Sequence, residues 1–213
     1  RAMNARQVAA LDDGAAPEPA VEWMLYQALA GVWPVHLNSD DAEELGALQE
    51  RFLGYVEKAL REAKQRTSWN EVNQGYENAV KAYASRLLSP DNAEFLVDFT
   101  ATLEPFIRAG LVNGITQTLI KLTAPGVPDI YQGSEQLDLS LVDPDNRRPP
   151  DFAKLARSLD EDARLPSGEE DWRSGRLKQA IIRTVLQLRQ RQPGLFSTGR
   201  HLPLSPQGKR ANS

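Results

Sequence analysis

Cysteine is absent from the 213 residues, which excludes both a disulfide framework and a thiolate metal site. Histidine occurs only twice, at His36 and His201, so a His-rich metal centre is excluded as well. No motif implies a metal or an organic cofactor. Excess positive charge is also missing. Twenty-five Lys and Arg stand against 29 Asp and Glu, a formal net charge of −4. A nucleic-acid partner would favour a basic patch instead. No apolar run approaches the roughly 20 residues of a membrane span, and neither end carries a charged-then-apolar leader pattern. The expectation is a cytoplasmic protein with neither nucleic-acid nor membrane partners. What is present, 41% hydrophobic and 25% charged residues, is the composition of a soluble globular chain. Its length suits one ordinary domain or slightly more.

The spacing of apolar residues predicts a largely helical chain. Residues 22–32 are apolar on most faces, with Trp23, Tyr26 and Leu29 among them, as in a buried helix; Trp23, Tyr26 and Trp33 are expected in the core. Asp40 and Asp41 open an amphipathic helix with the stripe Leu45, Leu48, Phe52, Val56, Ala59 and Ala63. A third helix carries Val72, Tyr76, Val80, Tyr83 and Leu87 at the same period, and a fourth carries Phe95, Phe99, Leu103 and Phe106. Residues 111–122 read as a further helix, as do 151–165 and 173–191, the last with Leu177, Ile181, Val185 and Leu188 inward. From Leu195 onward, short apolar pieces between turn residues suggest strands.

The most informative stretch lies between these helices. Residues 125–131, an apolar segment framed by Pro125, Gly126 and Pro128, read as a short buried strand. It leads through Tyr131, Gln132 and Glu135 into a loop containing Asp143, Asp145, Asn146, Arg147 and Arg148. In a βα unit such a loop lies at the carboxyl end of the strand, where barrel enzymes build their sites. Carboxylates, amides and guanidinium forks can grip vicinal hydroxyls through paired hydrogen bonds, and Tyr131 adds a flat face. A plainer reading stands beside this one. Asp-Pro-Asp-Asn is strong turn chemistry, exposed Arg/Asp clusters are commonly solvated, and Tyr131 and Glu135 would then be core and brace.

Residues 122–135 (Leu-Thr-Ala-Pro-Gly-Val-Pro-Asp-Ile-Tyr-Gln-Gly-Ser-Glu) and 138–149 (Asp-Leu-Ser-Leu-Val-Asp-Pro-Asp-Asn-Arg-Arg-Pro) resemble the malto-oligosyltrehalose synthases. That family is a branch of the α-amylase-like glycoside hydrolases and transferases. Residues 23–34, 58–64, 67–69, 195–199 and 203–204 continue the resemblance in the family's order. It implies a fold class that is predominantly α with short strands: the C-terminal part of a (β/α)8 barrel, a helical insertion, and the start of a C-terminal β domain. The implied boundaries are 1–36 for the end of an upstream barrel segment, 37–110 for the insertion, 111–165 for the final βα unit, and 166–213 for the last helix and the start of the β domain.

The activity implied by the resemblance is intramolecular transglucosylation, converting the reducing-end α-1,4 linkage of a malto-oligosaccharide to an α,α-1,1 linkage. Retaining chemistry of this kind uses two carboxyl groups about 5–5.5 Å apart. The family's catalytic carboxylates belong to motifs upstream of Arg1, so no catalytic residue is carried over, and the upstream part of the same enzyme is an implied partner. Tyr131, Gln132, Glu135, Asp143, Asp145, Asn146, Arg147, Arg148 and Trp69 are the implied substrate-binding residues. Trp69 would act as a lid over the acceptor side, or alternatively pack on a neighbouring helix. Two positions depart from the family: Leu137 replaces its common Trp, and Arg66 replaces its usual Lys. The alternatives are a non-catalytic α-glucan-binding helical module and another amylase-like hydrolase.

Overall fold

Burying a stripe of leucines and aromatics on a long helix requires a partner surface, and the chain supplies one from three neighbouring helices and a loop. A computed structural model describes residues 1–39, 41–160, 168–205 and 207–208. Among them the chain is mostly helical with two short strands. Internal contacts group it into two bodies, Arg1–Gly110 with Asp138–Asp151, and Leu111–Leu137 with Phe152–Ser213. Residues 1–36 and 37–110 thus fold together.

The first body opens with an antiparallel hairpin of β1 (Ala9–Leu11) and β2 (Gly14–Ala16), with Ala9 opposite Ala16 and Leu11 opposite Gly14. Gly14 has φ +123°, a conformation open to glycine but rarely to other residues. Helix α1 (Pro19–Val32) starts on a proline, which has no N–H to leave unsatisfied. Helix α2 (Ala42–Ala63) is capped by Asp41, whose side chain accepts from the Glu44 amide at 2.9 Å. Asp40 lies outside the described residues. Helix α3 (Gln74–Leu87) is capped in the same way by Asn73.

The stripe Leu45, Leu48, Phe52, Val56 and Leu60 of α2 is buried against Leu25, Leu29, Val80, Tyr83, Leu87 and their neighbours. The last turn of the stripe passes to Leu60, not to Ala59 and Ala63, as expected when a 3.6-residue period drifts across five turns. Trp33 and Tyr26 belong to this core, but Trp23 is 57% exposed. Glu22 is buried in its place, because it can accept from Tyr83 at 2.9 Å and pair with Arg1 at 2.6 Å. Val72 precedes α3 and is exposed.

Helix α4 (Ala93–Thr123) is one continuous element where the sequence suggests two. A glycine such as Gly110 costs a helix only about 1 kcal/mol, too little to force a break. Its residues 93–110 serve the first body, with Phe95, Leu96 and Leu103 buried and Phe106 exposed.

The second body contains the end of α4 with α5 (Phe152–Asp160), α6 (Glu169–Arg173), α7 (Arg176–Arg191) and α8 (Pro193–Ser197). The expected helices over 151–165 and 173–191 appear as α5 and as α6 plus α7; residues 161–167 lie outside the described ones. Gly175, at φ +80°, separates α6 from α7. Its buried core is small, Leu122, Ile182 and Val185 with Ile130 and Ile181 against them. Leu188 is exposed.

Two strand expectations fail in this body. Residues 125–131 form no strand, and Val127 is 98% exposed. A strand needs a neighbouring strand to satisfy its backbone; here the Gly126 amide bonds the Phe196 carbonyl at 3.0 Å, and among the described residues no strand runs alongside. The stretch after Arg191 begins with the helix α8, and no strand follows among its described residues.

Phe52→Ala, in the fully buried stripe of α2, is expected to cost about 3–5 kcal/mol by urea denaturation of the chain. Gly175→Ala places a Cβ 2.7 Å from the Leu137 amide nitrogen at a positive φ. It is expected to destabilise the second body by more than about 1 kcal/mol, read as a lower Cm for that body.

Candidate functional site

The loop 138–149 is held by one face of α2. Arg51 and Lys58 stand two turns apart on that helix, with Gly54 between them, and residues at such spacing share a face. Arg51 donates to both oxygens of Asp145, Nε to Oδ1 and Nη2 to Oδ2, each at 2.9 Å. Its Nη2 also reaches the Leu139 carbonyl at 2.8 Å. Lys58 Nζ meets Asp143 Oδ2 at 3.1 Å. Between these two anchors the Pro144 ring sits 3.6 Å from the position of a Gly54 Cβ.

Asp145 has no free acceptor facing solvent. Besides Arg51, it accepts from the Leu141 amide at 2.8 Å and lies 2.9 Å from Arg148 Nε, and its side chain is 1% exposed. Burial alone would raise its pKa. The Arg51 and Leu141 hydrogen bonds and the two guanidinium charges outweigh that and hold it below the usual carboxylate range. Asp143 is lowered by hydrogen bonds from Arg147 and Lys58. Residues 145–147 form a short 3-10 turn, closed by the Arg147 amide on the Pro144 carbonyl at 3.1 Å. The loop is therefore a turn braced by Arg–carboxylate and Lys–carboxylate pairs. The exposed groups are Asn146, Arg147 and Arg148.

Trp69 is 54% exposed, and the Arg61 guanidinium lies 4.9 Å from its ring centroid. Arg61 is itself fixed by Glu77, at 2.9 and 2.8 Å, and Glu77 also accepts from Thr67 at 2.6 Å. These bonds lower the Glu77 pKa, Arg61 contributing most, against the opposing effect of burial. Arg66 is committed elsewhere. It pairs with Asp13, reaches the Ala15 carbonyl, and lies 4.3 Å from the centroid of Tyr76. It pins the β1–β2 hairpin, and the fork of an arginine does this where a lysine would offer only a point charge.

Tyr131, Gln132 and Glu135 belong to the second body, and Tyr131 and Gln132 are exposed. The segment after Gly133 is tied to α7: Lys178 Nζ donates to the carbonyls of Ser134 at 2.7 Å and Gln136 at 2.9 Å. The buried amides of Gln136 and Gln179 meet at 2.8 Å. Glu135 Oε2 is buried and finds no hydrogen-bond donor among the described residues. Leu137, adjacent, is half-buried, and its amide nitrogen lies closest to the bare Gly175. Among the described residues there is no cluster of His, Asp and Glu able to hold a metal ion, and no helix long and apolar enough to cross a membrane.

Arg51 escaped the sequence reading. Its place on the polar face of α2 was legible, but its partner is 94 residues away. Lys58 lies in a family-like segment that assigned it no role.

No protein-family model matches the chain. Individual proteins do, and each is a large carbohydrate-metabolising enzyme of which the chain resembles one part. These relatives are maltooligosyl trehalose synthases. A Mycobacterium tuberculosis protein named as one is 34% identical over 197 residues, covering 92% of this chain and 23% of the relative. The structure of a mutant maltooligosyltrehalose synthase from Arthrobacter ramosus superposes with a TM-score of 0.72 at 34% identity, over 89% of this chain and 23% of that one. A hypothetical maltooligosyl trehalose synthase of Sulfolobus tokodaii superposes at 0.64 with 29% identity, over 88% and 24%. The chain thus spans about a quarter of the length of the relatives it matches.

Asp145 and Glu77 have lower pKa values folded than unfolded, so the unfolded state takes up protons first. Their contribution is full above the unfolded carboxylate pKa, near 4, and is lost as the pH falls through the folded values. Urea denaturation from pH 7 to pH 3 is expected to show falling stability below about pH 4. Glu77→Gln should flatten that fall while lowering stability at neutral pH.

Proposed function

We propose that the chain is the C-terminal portion of a maltooligosyl trehalose synthase, an isomerase that acts in the cytoplasm on malto-oligosaccharides in trehalose biosynthesis. The whole enzyme moves the terminal glucose within one molecule, replacing the reducing-end α-1,4 linkage by an α,α-1,1 linkage. The observation that carries this is the extent of the likeness: 34% identity over 92% of the chain, with the same fold in solved synthases.

In this reading the chain supplies binding surface while the reacting carboxylates come from the upstream part of the enzyme, so the chain alone is inactive. Residues 125–131 become the last strand of a (β/α)8 barrel once neighbouring strands are present; the uncovered Val127 supports this. Residues after Arg191 open a β domain in the same assembled state.

We assign the candidate residues different roles according to their exposure and partners. Asn146, Arg147, Arg148, Tyr131 and Gln132 are exposed, Arg147 while paired with Asp143 and Arg148 while paired with Asp145, and present polar groups or a ring that can meet hydroxyls or a sugar face. Asp143 and Asp145 hold the loop they sit on. Trp69, half open above Arg61, offers a ring for stacking on the acceptor side. Glu135, in the second body, has one buried oxygen that meets no donor among the described residues and is able to accept from a hydroxyl.

Proton NMR of maltopentaose incubated with the chain, alone and mixed with the upstream polypeptide, tests the proposal. Loss of reducing-end anomeric signals and growth of an α,α-1,1 signal are expected only in the mixture. Product from the chain alone would place the catalytic carboxylates within these 213 residues. Silence from a mixture shown to be assembled would reject the synthase reading.

A further inference from the structure

Arg51 is not among the residues that the sequence singles out, yet it holds the loop 138–149 from outside, as Lys58 does with a single bond. Three of its hydrogen bonds end there, two on Asp145 and one on the Leu139 carbonyl, all between 2.8 and 2.9 Å. Asp145 in turn fixes the backbone by accepting from the Leu141 amide, and Leu141 is buried in the core that α2 helps to form. The exposed Asn146, Arg147 and Arg148 follow directly after this anchor. A bidentate guanidinium–carboxylate pair fixes orientation as well as distance, because both planes are engaged.

We propose that Arg51 is a positioning residue for the sugar-binding loop: through Asp145 and the Leu139 carbonyl it sets the geometry in which Asn146, Arg147 and Arg148 meet a glucan. The inference rests on the synthase reading for the identity of the ligand. Its mechanical part, the hold on the loop, does not. Arg51 touches no substrate and acts through Asp145, so disabling either member releases the same loop.

Amide hydrogen exchange on the chain itself tests the hold. In Arg51→Gln the Leu141 amide is expected to exchange about tenfold faster or more, while the amides of Leu48 and Phe52 within α2 keep their wild-type rates. Asp145→Asn should reproduce the effect, the double variant should add nothing to it, and Arg51→Lys should fall between. Unchanged exchange at Leu141 overturns the proposal. Equal acceleration throughout α2 also overturns it, since Arg51 would then be a residue of general stability.

The second arm uses the enzyme assembled with its upstream part, once wild type is seen to form the trehalosyl product. At matched folded fraction, Arg51→Gln is expected to raise the KM for maltopentaose about tenfold and to increase the share of free glucose released, as a loosened site admits water. A fall in kcat at unchanged KM and product ratio means fewer active molecules and overturns the positioning role. If the assembled wild type makes no trehalosyl product, the synthase reading fails, and the exchange data alone decide whether Arg51 holds the loop.

Discussion

One ion pair organises the chemistry of the first body. Arg51 reaches from α2 to Asp145, joining a helix early in the chain to a loop 94 residues later. A carboxylate buried this deeply is tolerable only if its oxygens are met by donors. Here the donors are Arg51, Arg148 and the Leu141 amide. Because the donors come from a helix and from the loop's own backbone, satisfying the charge also dictates the loop's path. Lys58 and Asp143 repeat the arrangement two turns along α2, and Pro144 packs beside Gly54 between them.

The same device appears three times around α1, α2 and α3. Glu22 is enclosed by Tyr26, Tyr83 and Arg1; Glu77 by Arg61 and Thr67; Asp145 by Arg51 and its neighbours. Replacing such pairs by apolar residues often leaves stability unchanged or higher, whereas breaking them is costly. Their value therefore lies in directing which surfaces meet. Each pair joins segments that the hydrophobic stripe alone could have packed in several registers.

Much of this body was legible in the sequence. The α2 stripe, its Asp41 cap and the period of α3 follow from local chemistry, since a helix needs only its own residues to show a face. The hairpin was missed because its strands are three residues each, too short to display alternation. Trp23 is exposed and Glu22 buried because the Tyr26 hydroxyl one turn along α1, together with Tyr83 and Arg1 from distant positions, makes burial of the carboxylate cheaper than periodicity suggests. The loop's composition drew attention to residues 138–149, but composition could not reveal that two of its aspartates are occupied by α2. The strand at 125–131 was read from its apolar residues and prolines. Strand formation depends on partners that lie elsewhere, which no local pattern can supply.

In the second body, beside the Gln136–Gln179 side-chain pair, several ties run from side chains to main chain. Lys178 binds the carbonyls of Ser134 and Gln136, Arg189 those of Leu122, Ala124 and Gly126, and Gln179 that of Leu155. Every residue type brings a carbonyl, so the receiving segments are held without regard to their own side chains. Sequence change is consequently cheap along those loops and expensive along α7. Drift in such a body would alter what the loops display to solvent while leaving the hands that grip them unaltered.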